Sequence, residues 1–148
     1  MPDSSDVDAA LIGRLAGDAT LAALLPGGWY VDEAPPGLTQ FGVISLVDET
    51  DTPVFGGRGY EDALYLVKAV ELSTVAVKTI KAAAARIDVL LDPQPPLPPA
   101  SFAIAGYGLM VCRRESRVRM TEVDSVDASI RWYHRGGRYQ VMVAPAST

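Results

Sequence analysis

Apolar positions at Val7, Ala10, Leu11 and Leu15 recur at the spacing of one helix face, with Ser5 or Asp6 standing where an N-cap belongs. Gly17 and Asp18 then read as a stop and a fresh cap, so a second short helix is expected over about Ala19–Leu25, ended by Pro26-Gly27-Gly28. After it the period changes. WYV (29–31) reads as a brief strand and DEAPPGL as a turn-rich loop; FGVISLVDE (41–49) has the β-branched and apolar content of a longer strand. Ala63–Leu72 alternates imperfectly, as a mostly buried strand does. Between these two strands lies TDTPVFGGRGYED, with three glycines in four positions around Arg58. A phosphate-binding loop would end in Gly-Lys-Ser/Thr and open a helix. Here two acids and an extended apolar segment follow, so residues 50–60 read as a hairpin tip or arm.

The strongest helical pattern is STVAVKTIKAAAARIDVLLD, capped by Ser73 or Thr74, with Val77, Ile80, Ala84, Ile87 and Leu91 on one apolar stripe. Its run of four alanines favours helix and permits close packing. Residues 93–99 carry five prolines and read as a stiff connector from the helix end back to a sheet. Three strands are expected beyond it, YGLMVCRRE, SVDASIRWYH and RYQVMV, with Gly136-Gly137 as a two-residue hairpin turn between the last two. This element order predicts an α+β fold: a mostly antiparallel β-sheet packed on one face by helices, with a long central helix.

At 148 residues the chain is expected to be a single domain, residues 1–148, that needs no staples. Its opening, MPDSSDVDAA, lacks the basic and apolar regions of a signal peptide, and no run approaches the roughly 20 apolar residues of a membrane span. The expectation is therefore a protein kept in the cytoplasm until it joins something, with no membrane partner. The net charge of −5 hides a polarity that changes the picture more than the total does. Residues 1–62 hold eleven acids and two bases, a net of −9; residues 63–148 hold seven acids and eleven bases, a net of +4. Such a chain can present one surface to a different surface of its copy, the contact that closes rings or grows filaments.

Candidate chemistry is sparse. One cysteine, Cys112, and one histidine, His134, cannot supply the three or four ligands of a zinc site. Cys112 sits in an alternating apolar run and reads as a buried structural thiol. A Cys112–His134 dyad needs the two to face each other across neighbouring strands. The pairs Asp32-Glu33, Asp48-Glu49 and Glu61-Asp62 are expected in loops or at strand ends as solvated charge. No nucleophile elbow, dinucleotide fingerprint or kinase motif occurs, so neither a catalytic residue nor a cofactor is expected.

What does stand out is MVCRRESRVRM (110–120), with Arg113, Arg114, Arg117 and Arg119 in seven residues of an acidic protein. In an extended chain, alternation puts Arg113, Arg117 and Arg119 on one face with Glu115, and Arg114 on the other. Three readings stand side by side: a solvated strand face, a protein–protein contact with acidic surface of a neighbour, and direct DNA contact. Single-strand binders interleave aromatic stacking platforms, and none occurs between Gly108 and Arg131. Arg113, Arg117, Arg119 and Arg58 are accordingly the candidate subunit or partner interface, with residues 113–126 a further possible arm or loop.

The elements taken together resemble the tail terminator, or tail completion, family of long-tailed bacteriophages. The resemblance rests on DAALIGRLAGDATLAALL followed by PGGWYVDEAPPG, on FGVISLVDE, on LYLVKAVEL with TVAVKTIKAAAARIDVLL, and on the closing SIRWYHRGGRYQVMV. It implies a structural virion protein rather than an enzyme. Six copies would close into a ring on the head-proximal end of the tail tube, stop its polymerisation and offer the surface that docks to the head connector. The implied partners are the chain itself, the tail tube protein and a head–tail connector protein, with DNA only in passage through the lumen. The implied location is the virion tail at the head–tail junction, after assembly in the host cytoplasm. A stopper or adaptor of the same junction is the nearest alternative; a small enzyme or a nucleic-acid-binding module would be a different class.

Overall fold

The computed structural model describes residues 4–54, 57–72 and 77–146, and at 4, 53–54, 57–58 and 77–78 the backbone alone. Helices α1 (Ser4–Ala16) and α2 (Ala19–Leu24) are followed by strands β1 (Trp29–Val31), β2 (Gln40–Val54) and β3 (Gly57–Leu72). Helix α3 (Val77–Leu91) leads, through the proline segment, into β4 (Tyr107–Val123) and β5 (Arg131–Pro145). The strands form one sheet in the order β1-β2-β3-β5-β4. Among the described residues only β1 runs parallel to its neighbour; every other pairing is antiparallel. The fold is α+β, as expected. Among the described residues no helix is long and apolar enough to cross a membrane.

The break between α1 and α2 falls where the sequence puts it, whereas α1 is already helical at Ser4, so neither Ser5 nor Asp6 is its cap. Asp18 caps α2, its carboxylate accepting from the Leu21 amide at 3.0 Å. The same carboxylate takes a two-pronged grip from Arg86 of α3, Nε at 2.9 Å and Nη2 at 2.6 Å. One side chain thus starts one helix and ties it to another. The expected caps Ser73 and Thr74 lie outside the described residues.

Alternation along β3 and β5 decides where the core sits. Ala63, Tyr65, Val67 and Ala69 of β3 and Tyr139, Val141 and Val143 of β5 join one buried cluster with Leu11, Leu15, Leu21, Ile80 and Ile87 of the helices. All the β3 and β5 members are odd-numbered, so the helices lie on that face. Two tyrosine hydroxyls reach up from it, Tyr65 to Asp8 of α1 at 2.6 Å and Tyr139 to Asp88 of α3. Within α3 the buried alanine is Ala83; Ala84, expected on the stripe, is half-buried beside it.

The opposite face carries Phe41 and Val43 of β2, Leu64, Leu66, Lys68 and Val70 of β3, and Trp132 and His134 of β5. Val43 and Val70 are buried, yet neither belongs to the cluster that holds the helices. The Phe41 and Trp132 rings meet edge-on, centroids 6.1 Å apart.

One expectation fails. Gly136-Gly137 is no turn: β5 runs unbroken through it from Arg131 to Pro145, and two expected strands are one. A Cβ at Gly136 would lie 2.0 Å from the Val67 carbonyl oxygen and 2.6 Å from the Lys68 Cα; one at Gly137 would lie 2.9 Å from the Ser116 carbonyl oxygen. The glycines let β3, β5 and β4 approach closely where a side chain would part them. The β4–β5 connection is instead residues 124–130, closed by Asp124 accepting from the amides of Val126 and Asp127, both at 3.0 Å.

Candidate functional site

Among the described residues β4 is an edge strand, paired only with β5, and residues 113–123, expected as an arm or loop, stand within its ladder. Its register against β5 slips twice, between Leu109 and Val111 and between Arg114 and Ser116. The second slip leaves Glu115 as the surplus residue of a β-bulge. One surplus residue reverses the alternation, and this redistributes the arginines. Arg114 pairs with Tyr139, Arg117 with Gly137 and Arg119 with Arg135, all on the face that carries the helices; Arg113 pairs with Gln140 on the other. The expected grouping of Arg113, Arg117 and Arg119 on one face is therefore corrected: Arg117 and Arg119 share a face with Arg114. A one-residue bulge is invisible to a period-two reading.

The four arginines have separate employments. Arg113 donates through Nε to the Gln140 side-chain oxygen at 2.7 Å, and Gln140 donates to both Asp62 oxygens at 2.9 and 3.0 Å. Arg114 is structural: Nη1 meets Asp88 at 2.5 Å, and its amide donates to Asp92 at 2.9 Å. Arg117 and Arg119 are exposed and pair with no carboxylate among the described residues. They border a hollow of about 530 Å³ between β4, β5 and α3, whose other charged lining residues are Lys81 and Arg135. Among the described residues, four cations thus surround it with no acid in its wall. The Arg58 side chain lies outside the described residues.

Lys81 and Arg135 were not legible as members of this group. They stand 38 and 16 residues from Arg119 in sequence, and only the α3–sheet packing and the β4–β5 register bring them in. The strand signal around Arg135 was present, but the glycine pair next to it read as a turn.

The acids gather elsewhere. Asp48, Glu49, Glu61 and Asp62, expected in loops or at strand ends, stand within the strands of the β2–β3 hairpin. Glu61 is 3% exposed, contrary to the expectation of solvated charge, and accepts from the Tyr107 hydroxyl at 3.0 Å. Oxygens of Glu49, Asp51 and Glu61 lie within 4.8 Å of one another, the spacing at which carboxylates can share a cation.

The remaining candidate chemistry is kept apart. Cys112 pairs with Val141 on the helix-bearing face, whereas His134 pairs with Met120 on the other, so no Cys112–His134 dyad forms. Burial, with a smaller push from Asp92, raises the Cys112 thiol to about 12, which keeps it protonated and unreactive. His134 is 5% exposed, with Nε2 at 3.1 Å from Glu122. Burial and the neighbouring Lys68 hold its pKa below the ordinary value against the opposing pull of Glu122. Lys68 is itself lowered by burial.

No family profile and no curated protein matches the sequence. Among solved structures, the chain is similar to a chain described as "Virion of native gene transfer agent (GTA) particle". The match has a TM-score of 0.59 and 24% sequence identity over 94% of this chain and 96% of that one. The two share a fold from end to end.

Proposed function

We propose that this chain is a structural virion protein that forms a ring at the head-proximal end of a phage-like tail, ends the tube's polymerisation and offers the head-docking surface. The observation that carries the reading is the end-to-end likeness to a chain of a gene transfer agent virion. The resemblance to tail terminators, which covers nearly the whole chain and is looser over the proline segment and the arginine strand, points the same way. A sheet with one face bare of helices and an unneutralised cationic hollow at its β4 edge suits a subunit that meets its copies. The role is one of assembly rather than turnover. The partners are further copies of the chain, a tube protein below and a connector above, with DNA passing through the lumen.

Arg117 and Arg119, with Arg113 and Arg58, serve contacts to acidic protein surface. A lumen lined with exposed arginines would hold DNA by many phosphate contacts and retard a polymer that must slide. Imaging of the particle tests the reading. Several copies ringed at the tube's head end support it. A position wholly within the connector, or a purified chain that stays monomeric at all concentrations, overturns it.

A further inference from the structure

The acids and the cations sit at opposite corners of one face of the sheet. Glu49, Asp51 and Glu61 lie on the helix-bearing face of the β2–β3 hairpin, since Glu49 pairs with Ala63 and Asp51 with Glu61. Beyond Ile44 that stretch of β2 has no strand on its outer side, because β1 covers only Gly42 to Ile44. Arg117 and Arg119 of β4, the far edge, lie on the same face with Arg135 of the adjoining β5, and Lys81 stands above them. Along the strands the two groups are also apart. Glu61 stands opposite Val143 and Arg119 opposite Arg135, eight residues along β5, or about 27 Å.

We infer that the hollow lined by Lys81, Arg117, Arg119 and Arg135 is a carboxylate seat, and that its occupant is the acidic β2–β3 hairpin, Glu49 and Asp51 foremost, of a second copy of this chain. The argument is charge complementarity with a geometric constraint. Among the described residues four cations share one hollow with no acid in its wall, and an anion brought from outside relieves their mutual repulsion. The chain's own crowded carboxylates cannot reach it, being across the sheet. A neighbour laid edge to edge, β2 beside β4, presents them on the matching face, displaced along the strands.

Because seat and occupant are on opposite edges, each copy uses its seat on one neighbour and its hairpin on another. In the edge-to-edge arrangement the contact is heterologous and propagates in one sense. The inference rests on the self-assembly proposed above and names the surfaces that make it.

Two charge reversals and one cross-link test it in the full-length chain. Arg119→Glu with Arg135→Glu reverses the seat; Glu49→Lys with Asp51→Lys reverses the hairpin. Thermal melts of the dilute protein first establish that each variant folds. Each reversal should raise the concentration needed for assembly about tenfold or more, and both together in one chain should restore it to within about threefold. On a Cys112→Ala background, Asp51→Cys and Arg119→Cys chains mixed with a short bismaleimide should give a dimer that neither gives alone. A cross-linked, charge-rescued assembly that grows as open filaments upholds the seat and overturns the ring. Rings that form unchanged in both reversals, without the cross-link, overturn the seat and leave the ring standing. A seat reversal that leaves assembly intact but weakens binding to a DNA oligonucleotide also overturns it, since the occupant would then be phosphate.

Discussion

Asp18 holds two jobs in one carboxylate, and their loss is felt together. Replacing Asp18 with Ala removes the α2 cap and releases Arg86, and should cost about 2 kcal/mol in urea unfolding at pH 7. The Arg86 hydrogen bond holds the carboxyl below its ordinary value. A carboxyl lowered by folding contributes stability above the unfolded pKa, about 3.9, and loses it as pH falls through the lower folded value. The gap between wild type and Asp18→Ala should therefore narrow between pH 5 and pH 2, and an unchanged gap would mean the pair is idle. Cys112 makes the opposite case of a reactive residue type without a reactive setting. With its thiol raised to about 12, it should resist an aromatic disulfide reagent in the native protein and react at once in denaturant. Cys112→Ala should cost only about 1 kcal/mol and leave assembly intact.

At the scale of elements, the helices and the middles of the first three strands were legible because their signals are local, a glycine stop and a period. Residues 50–54 and 57–60, expected as a hairpin tip or arm, belong instead to the ladder of β2 and β3. Ile80 and Ile87 are fully buried, and Ile87→Asp would leave a charge in the core, lowering stability by several kcal/mol in a thermal or urea melt. An unchanged melting temperature would mean α3 packs by another face. The Gly136-Gly137 pair was illegible for a physical reason. Glycine serves both sharp turns and close strand contacts, and only the neighbouring strands distinguish them. Gly136→Val should therefore be severely disruptive, costing roughly 3 kcal/mol or more, because its side chain would collide with the Val67 carbonyl and the Lys68 backbone rather than with solvent at a turn. Tolerance of that substitution would contradict the continuous strand. The cationic group was half legible. Arg117 and Arg119 announced themselves by density, but their face depends on the bulge, and Lys81 and Arg135 on tertiary packing.

Across the whole molecule, the charge polarity of the sequence becomes a spatial one, acids along the β2–β3 hairpin and cations around the β4 edge. Assembly driven by such contacts should be salt-sensitive while the monomer fold is not. Raising ionic strength from 0.1 to 1 M shortens the screening length from about 10 Å to about 3 Å. Sedimentation should show assemblies shrinking over that range, while the melting temperature of dilute protein stays level. Assemblies indifferent to salt would point to the apolar residues of the face opposite the helices, around Phe41 and Trp132, as the main glue.

The surplus residue at 115 gives this arrangement an unusual vulnerability. A strand counts in twos, and Glu115 is what puts the β4 arginines beyond it on the odd count of the partner strand. Were the bulge to flatten and Glu115 to enter the ladder, Arg117 and Arg119 would trade sides with Val118 and Met120: the hollow would lose two of its four cations to the opposite face, with no letter of the sequence altered. Between Arg114 and Arg119 the register thus carries information that composition does not. Substitutions there adjust the strength of a contact, whereas keeping or losing the bulge decides which way the subunit faces its neighbours.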